Sequence, residues 1–376
     1  MTEFAESTGL SKPEKSPQRY LWTDAFAVCN FLELYRQTRD KSWRQLALRL
    51  VDQVHNILGR HRRDDPRTGW ISGLTEEEGR RHPTIGGLRI GKRLNERKPA
   101  DPYEDRLEWE RDGQYFHYLT KWMHALNRVS RSTGNPTFNF WAIELAKRSH
   151  AAFVHTLPSG SKRMYWKMSV DLSYPLVPLM GQHDPLDGLI TYNQLQITAT
   201  EFSNAPEPHL RSEIADMEDL CKGKNWTTED SLGIGSMLSD AYTILQLIIK
   251  DSFTDTGLLN DLLESSLAGL DAYLENPLWK LPADNRLAFR ELGMAIGLHA
   301  VERIEALMEK KPDKFAWNHP LYAQLNRFSP YIPLGKTIEK FWLDSQNRRS
   351  KSWIMHLDIN RVMLATSLAP NGYLEL

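Results

Sequence analysis

The chain has 376 residues, 41% of them hydrophobic and 25% charged, which is the composition of an ordinary globular protein. Its formal net charge of -1 gives it no overall positive field, so the composition argues against general binding to nucleic acid or to an anionic membrane surface. No apolar run in the sequence is as long as we expect of a membrane span.

The cysteines bear on the cellular compartment. Cys29 and Cys221 lie far apart in the sequence and cannot form a disulfide framework. No hydrophobic signal segment follows Met1. We therefore expect the protein to work in the reducing cytoplasm.

The chain start differs in composition from the remainder. Residues 1–19 are polar and contain Pro13 and Pro17, which predicts a flexible N-terminal arm. We expect residues 20–376 to form a single domain.

Apolar side chains recur at helical spacing in pairs of segments that short turns separate. Thr23 or Asp24 is the expected N-cap of the first helix, and Gly59 ends the second. The predicted helices cover 24–37 with 42–58, 110–131 with 137–157, 189–201 with 209–222, 231–250 with 258–275, 283–310 with 335–342, and finally 353–368. The first two pairs can be aligned with each other, which indicates internal repetition.

In several pairs, one of the two helices is apolar on nearly every side, as over 242–249 and 362–368. Other helices are amphipathic, as over 44–58. Helices of the first kind lie inside a fold and amphipathic ones lie outside. About six such pairs predict an all-α fold, an (α/α)6 toroid with long loops at one end. An open solenoid is the competing interpretation.

The order and number of hairpins from about Thr23 to Leu368 resemble the six-hairpin, (α/α)6 toroid superfamily. That superfamily includes unsaturated glucuronyl hydrolases, glucoamylase-like enzymes and sugar 2-epimerases. The resemblance implies a substrate cavity at one end, lined by the loops that lead into the inner helices. It implies no closer family.

The most informative of these loops precedes the third inner helix and lies within 161–195. Pro175, Pro178 and Gly181 exclude a continuous helix through its first part. Long polar connectors are more often functional than short ones. We therefore expect the site here.

Carboxylates occur in two of the loops. Asp112 precedes the second inner helix, while Asp184 and Asp187 precede the third, so we expect them on adjacent walls of the cavity. Glycosidases use two carboxyls, one as acid and one as base or nucleophile. Unsaturated glucuronyl hydrolases are similar in drawing two aspartates from neighbouring hairpins. The alternative is structural, since Asp is a common N-cap and turn residue.

Histidines offer a different chemistry. His183 adjoins Asp184, His117 lies early in the second inner helix, and His356 belongs to a later hairpin. Imidazoles serve as general acids and bases. The resemblance to sugar epimerases implies histidines on the inner wall that abstract a proton beside a sugar carbonyl. A hydrogen-bonded structural role is the alternative for each of them.

Aromatic and basic side chains of the same loops are candidates for substrate binding, because flat rings stack on sugars. The connector 86–110 carries several basic residues, and they would favour an anionic substrate such as a uronate or a sugar phosphate. A solvated mobile loop is the alternative. The candidates are Arg89, Tyr115, His117, Trp166, Lys167, Arg290, Trp353 and His356.

The sequence thus predicts a carbohydrate-active enzyme that hydrolyses a glycosidic bond, with Asp112 and either Asp184 or Asp187 as its carboxyl pair. A sugar epimerase or isomerase that uses histidines is one alternative, and a non-catalytic toroid that binds a ligand or a protein is another. We expect a small-molecule or oligosaccharide substrate and no cofactor. The sequence has no His-Glu-x-x-His or paired-Cys motif, so we expect no metal site.

Overall fold

The computed structural model describes residues 1–11, 17–202, 209–316 and 318–376. Contacts between Cα atoms divide the chain into two compact units. We call Thr2–Lys222 the N-terminal unit and Gly223–Leu376, which Met1 joins, the C-terminal unit.

The N-terminal unit consists of helices and a few very short strands. Its helices are α1 (Thr2–Ser7), α2 (Leu21–Thr38), α3 (Lys41–Leu58), α4 (Glu76–Arg81), α5 (Asp105–Glu108), α6 (Phe116–Thr133), α7 (Thr137–Phe153), α8 (Asp184–Phe202) and α9 (Arg211–Cys221). Its strands are β1 (Gln114–Tyr115), β2 (Val154–Thr156), β3 (Lys162–Met164), β4 (Lys167–Met168) and β5 (Pro175–Val177).

Three helical hairpins form this unit, as the sequence predicts: α2 with α3, α6 with α7, and α8 with α9. In the first two hairpins, the first helix ends at a residue in the left-handed conformation. This residue is Arg39 (φ 60°) after α2 and Gly134 (φ 71°) after α6. The start of α2 differs from the prediction. Tyr20 is its N-cap, and Asp24 accepts a hydrogen bond from the Tyr20 N–H at 3.0 Å from within the first turn.

Helices α2, α6 and α8 run parallel to one another. Along α6 and α8, hydrogen bonds join His124 to Gln194 and Arg131 to Thr198, each at 3.0 Å. The sequence separation between the two partners is nearly the same in both pairs, to within about one helical turn, and only parallel helices allow this. At the starts of α2 and α6, the hydroxyls of Tyr20 and Tyr118 lie 2.7 Å apart. The three helices therefore begin at one end of the unit.

The segment predicted to be a flexible arm is packed in its described part. Phe4 and Leu10 are buried, and the ring of Phe4 lies 6.4 Å from that of Phe31 on α2. Arg19 is buried too, and its Nη2 donates to the Thr8 carbonyl at 2.7 Å. The apolar side chains among the polar ones explain the difference from the prediction. Residues 12–16 of the predicted arm lie outside the described residues.

The strands form two small antiparallel sheets, one of order β1-β4-β5 and one that pairs β2 with β3. In the three-stranded sheet, Gln114 pairs with Met168 and Tyr115 with Lys167. This sheet ties the long connector before α8 to the start of α6. Strands of two or three residues have no periodicity that a sequence could reveal, so they were not predicted.

Among the described residues of the C-terminal unit, the regular secondary structure consists of helices. Its helices are α10 (Ser231–Ile249), α11 (Thr256–Glu275), α12 (Ala288–Glu309), α13 (Pro320–Asn326), α14 (Ile332–Leu343), α15 (Lys351–Met355), α16 (Leu357–Leu368) and α17 (Asn371–Leu374). Short 3-10 helices cover Pro277–Lys280, Ala283–Asn285 and Asn347–Arg349. Helix α12 packs against α10, α14 and α16, so it is the centre of the unit.

Glycines bring α10 and α12 unusually close. A Cβ atom at Gly235 would lie 2.0 Å from the carbonyl oxygen of Gly293, and one at Gly297 would lie 2.6 Å from the Gly235 Cα. No side chain fits between the two backbones at this crossing.

Helix α10 has the length and apolar composition of a membrane span, with a mean hydropathy of 1.4, contrary to the expectation from the sequence. Of that stretch, 61% is buried inside the protein. Its packing against α11 and α12 accounts for the apolar composition, because a helix buried on most sides is apolar on most sides.

Candidate functional site

The candidate site lies in the N-terminal unit, where α6 and α8 begin. His117 and Asp184 occupy the first turns of these two parallel helices. The Nδ1 atom of His117 lies 3.4 Å from Oδ1 of Asp184. Asp184 is 4% exposed, and its Oδ2 atom is buried without a hydrogen-bond partner among the described residues. A buried carboxylate oxygen without a donor is costly, so it marks a place where a bound molecule or a proton belongs.

The backbone of the preceding connector encloses this carboxylate. A Cβ atom at Gly181 would lie 2.6 Å from Oδ2 of Asp184, so only glycine allows the chain to pass so near. His183 directly precedes α8, and its carbonyl accepts a hydrogen bond from the Asp187 N–H at 3.0 Å. The connector thus holds His183 and Asp184 together at the start of α8.

The second acid of α8 already has a charged partner. Lys121, one turn beyond His117 on α6, donates to Oδ1 of Asp187 at 2.9 Å. Asp187 is 5% exposed. The two acids of α8 therefore differ, since Asp187 is paired with a cation and Asp184 faces an imidazole.

Aromatic rings surround His117. Tyr115 and Trp166 both lie parallel to its ring, at centroid distances of 5.3 and 6.3 Å, and Tyr118 lies edge-on at 4.9 Å. Trp166 in turn contacts Trp109, whose side chain is 48% exposed. The result is an aromatic wall that extends from the half-buried imidazole to the surface. Such rings can stack on the apolar face of a sugar.

Tyr115 forms the buried base of this wall. It is 2% exposed and belongs to β1, so the three-stranded sheet fixes its position. Burial raises the pKa of the Tyr115 hydroxyl above its ordinary value, and the phenol therefore stays neutral. The sheet supplies an immobile surface against which the imidazole rests.

Asp112 does not have the catalytic role that the sequence predicts. Its carboxylate is fully buried, its Oδ1 accepts from the backbone N–H groups of Gly91 and Gly113 at 3.0 and 3.1 Å, and its Oδ2 accepts from Arg89 at 2.9 Å. It is not an N-cap either, because α6 begins four residues later. Both oxygens are occupied and no part is open to a substrate, so Asp112 holds the loop together.

Arg89 and Lys167 are structural for the same reason. The other donors of Arg89 bind the carbonyls of Ile57 and Arg60 at 2.8 and 2.9 Å. The Lys167 ammonium is buried and donates to the side chain and the carbonyl of Glu108 and to the carbonyl of Arg111. Both cations are bound to acceptors of the protein itself, whereas the sequence predicts that they bind the substrate.

The remaining candidates belong to the C-terminal unit. Trp353 is 3% exposed and stacks on Trp342 at 5.7 Å, so it is a core residue and not a sugar-binding one. Arg290 forms an ion pair with Asp230, which also caps α10 by accepting from Gly233 at 3.0 Å. The His356 ring lies edge-on to Phe289 at 5.4 Å.

The sequence did not point to Tyr20, Tyr118 and Lys121, which lie near His117 or Asp184 through direct or successive contacts, whereas Lys92 belongs to the basic connector that the sequence did single out. Lys121 shares the helical face of His117 through its i,i+4 spacing, and this signal could have identified it. Nothing in the sequence pairs Tyr20 or Lys92 with that face. Among the described residues, no three His, Cys, Asp or Glu side chains are grouped so that they could hold a metal ion.

No protein-family model matches the chain, and no curated protein sequence matches it significantly. Solved structures do. The cellobiose 2-epimerase from Spirochaeta thermophila DSM 6192 has a TM-score of 0.50 and 12% sequence identity, with 95% of this chain and 87% of that one covered. The cellobiose 2-epimerase from Bacillus thermoamylovorans B4167 has a TM-score of 0.48 and 11% sequence identity, with 93% of this chain and 88% of that one covered. A sugar epimerase from a ruminal bacterium has a TM-score of 0.48 and 9% sequence identity, with 93% of this chain and 87% of that one covered.

These likenesses concern the fold. The chain has an all-α, (α/α)6 fold, which confirms the fold class predicted from the sequence. At 12% identity the comparison assigns no residue a role.

Proposed function

We propose that the chain is a carbohydrate-active enzyme that isomerises or epimerises a sugar by proton transfer beside its carbonyl group. The pair of His117 and Asp184 carries this proposal, because an imidazole lies 3.4 Å from a buried carboxylate with one unpartnered oxygen. A cellobiose 2-epimerase has the same fold, which makes this chemistry compatible with it.

In this proposal His117 removes the proton from the carbon next to the carbonyl group. Its Nδ1 faces Asp184 and is buried, whereas 27% of the side chain is exposed, so Nε2 is the nitrogen that meets the substrate. Asp184 orients the ring and stabilises the imidazolium that forms. We assign the return of the proton from the opposite face to His183, at the start of the same helix as Asp184.

The rings of Trp166 and Trp109 would bind the apolar face of the sugar. Trp166 lies parallel to the imidazole, and the exposed Trp109 adjoins it at 5.2 Å. A pyranose stacked on this wall has its polar edge free to meet His117. The wall thus supplies affinity, while the His117 and Asp184 pair supplies the chemistry.

Hydrolysis of a glycosidic bond is the second candidate, and one observation favours it. Asp184 and Asp187 are separated by one helical turn, and their surroundings differ, since Lys121 forms an ion pair with Asp187 and His117 lies beside Asp184. Two carboxyls in unlike surroundings can divide the acid and nucleophile roles. In this case Asp184 would act as the general acid.

Incubation with a panel of mono- and disaccharides in D2O distinguishes the two reactions. Epimerisation or isomerisation incorporates deuterium at the carbon beside the carbonyl group, which NMR detects, whereas hydrolysis releases new reducing ends. We expect His117→Asn to lower the exchange rate by about 100-fold or more while it leaves the melting temperature nearly unchanged.

His155→Asn is the matched control. His155 belongs to the same unit and also stacks on an aromatic ring, that of Tyr165 at 4.1 Å, but it lies in β2. It should retain full exchange. Undiminished exchange in His117→Asn would refute the proposed base, and new reducing ends without exchange would establish the hydrolase instead.

A further inference from the structure

Lys92 is a partly buried cation that has no acceptor. Among the described residues, no hydrogen bond or ion pair within 4.0 Å joins its ammonium group to another side chain. The ammonium group lies over the face of the Tyr20 ring, 5.5 Å from the centroid. The other cations near the site differ, since Lys121 is paired with Asp187 and Lys167 with Glu108.

The segment that carries Lys92 is held firmly. The backbone N–H of Gly91 donates to Asp112, and Arg62 donates to the carbonyls of Lys92 and Arg93. The carbonyl of Ile90 accepts from the N–H of Leu21, the first residue of α2. The backbone is therefore fixed at several points, while the ammonium group is not engaged by a partner.

Lys92 is connected to the proposed catalytic pair through two tyrosines. The Tyr20 ring on which it rests is hydrogen-bonded to Tyr118 through the two hydroxyls, at 2.7 Å. The Tyr118 ring lies 4.9 Å from the His117 ring. A continuous set of ring contacts thus leads from the ammonium group to the imidazole.

A partly buried ammonium group without a counter-ion is unfavourable in the free protein. Burial lowers the pKa of Lys92, and the negative charges of Glu110 and Asp112 oppose this only partly. Asp112 has its own partners at hydrogen-bond distance, as described above, and Glu110 is exposed. A bound anion is the partner that would complete the surroundings of Lys92.

We propose that the substrate is an anionic sugar whose carboxylate or phosphate group binds to Lys92 while its carbonyl end reaches His117. This inference rests on the proposed function, because it assigns the substrate class of the same site. It gives Asp112 a positioning role, since its hydrogen bond to Gly91 holds the segment that presents Lys92.

Calorimetric titration with glucuronate, glucose 6-phosphate and glucose tests the proposal. We expect the wild-type protein to bind at least one of the anionic sugars about tenfold or more tightly than glucose. Lys92→Gln should remove this preference and Lys92→Arg should restore it. Lys98→Gln, which removes an exposed lysine of the same connector, should keep it. The two anionic sugars distinguish a carboxylate from a phosphate.

The outcomes separate the two proposals. If glucose and both anionic sugars bind equally to the wild-type protein, or if Lys92→Gln keeps the preference, the inference about Lys92 is wrong and the sugar-binding site stands. If none of the three sugars binds, the inference about Lys92 is wrong, and the deuterium-exchange assay with the wider panel decides the proposed function separately. Melting temperatures of the variants exclude unfolding as the cause of a lost preference.

Discussion

The guanidinium group of Arg89 donates to Oδ2 of Asp112 at 2.9 Å, and this pair joins three segments that are distant in sequence. Arg89 also binds the carbonyls of Ile57 and Arg60 at the end of α3, and Asp112 accepts from the backbone on either side of the connector. Since both side chains are buried, they form the polar anchor of the loops around the site.

Asp112→Asn should therefore unfold the protein more easily, because it leaves a buried guanidinium group without its carboxylate. We expect a loss of about 3–5 kcal/mol in the free energy of unfolding, measured by urea denaturation. Asp64→Asn is the control, since Asp64 also pairs with an arginine but its side chain is 59% exposed. It should cost about 0–1 kcal/mol. An Asp112→Asn protein of normal stability that has lost all activity would restore the catalytic interpretation.

His55 should make the protein less stable in acid. Burial lowers the pKa of His55 to about 3, and its Nε2 accepts from the Trp122 indole at 3.2 Å. The unfolded chain binds a proton below its ordinary pKa near 6.5, whereas the folded chain does not until about pH 3. Stability is therefore lost as the pH falls from 6.5. Between pH 6.5 and 5 this group alone should cost about 2 kcal/mol.

Urea denaturation of the wild-type and His55→Gln proteins gives the difference in their free energies of unfolding at pH 7 and at pH 5. The change in this difference between the two pH values measures the cost. The stability advantage of the wild type over His55→Gln should shrink by that amount at the lower pH. An unchanged advantage would mean that the imidazole is protonated in the folded protein.

His299 should act in the opposite direction. Hydrogen bonds to Glu339 and Glu302, at 2.8 and 2.9 Å, raise the pKa of His299 above its ordinary value. A raised pKa in the folded state gives stability that is fully present below pH 6.5 and is lost as the pH rises through the folded value. His299→Gln should thus cost more stability at pH 5.5 than at pH 9. Equal costs at the two pH values would contradict a charged His299.

Gly235→Ala should be strongly destabilising, because the added methyl group would meet the Gly293 carbonyl at 2.0 Å. Overpacking of this kind costs about 1–3 kcal/mol or more, and here neither backbone can move aside alone. Gly257→Ala is the control. It lies in the first turn of α11 with no contact nearer than 3.1 Å, and it should be neutral or slightly stabilising. Thermal unfolding of both variants gives the comparison.

The helices could be predicted from the sequence because their apolar spacing is local. The second helix was expected over 42–58 and extends over Lys41–Leu58. The third inner helix was expected to begin at Leu189, but it begins at Asp184, because Pro185 fits the first turn of a helix and does not end it. A proline in a sequence indicates a helix boundary, but it does not show whether the helix lies before or after the proline.

The site could be predicted only in part. Equivalent positions at the starts of α6 and α8 bring His117 and Asp184 together, as expected of neighbouring inner helices. The role of Asp112 could not be foreseen, because its partners Arg89 and Gly91 lie more than a helix length away in sequence and in an irregular loop. Similarly, the ammonium group of Lys167 looks like a ligand-binding group until its three carbonyl and carboxylate acceptors are known.

The parallel arrangement of α2, α6 and α8 has an electrostatic consequence. Each long helix has a macrodipole equivalent to about half a positive charge at its N-terminus. Because these three helices begin at the same end, their dipoles add there and do not cancel. Asp24 and Asp184 in their first turns are favoured by this field. Negative charge that develops on a molecule bound beside them would be stabilised by the backbone itself, before any side chain moves.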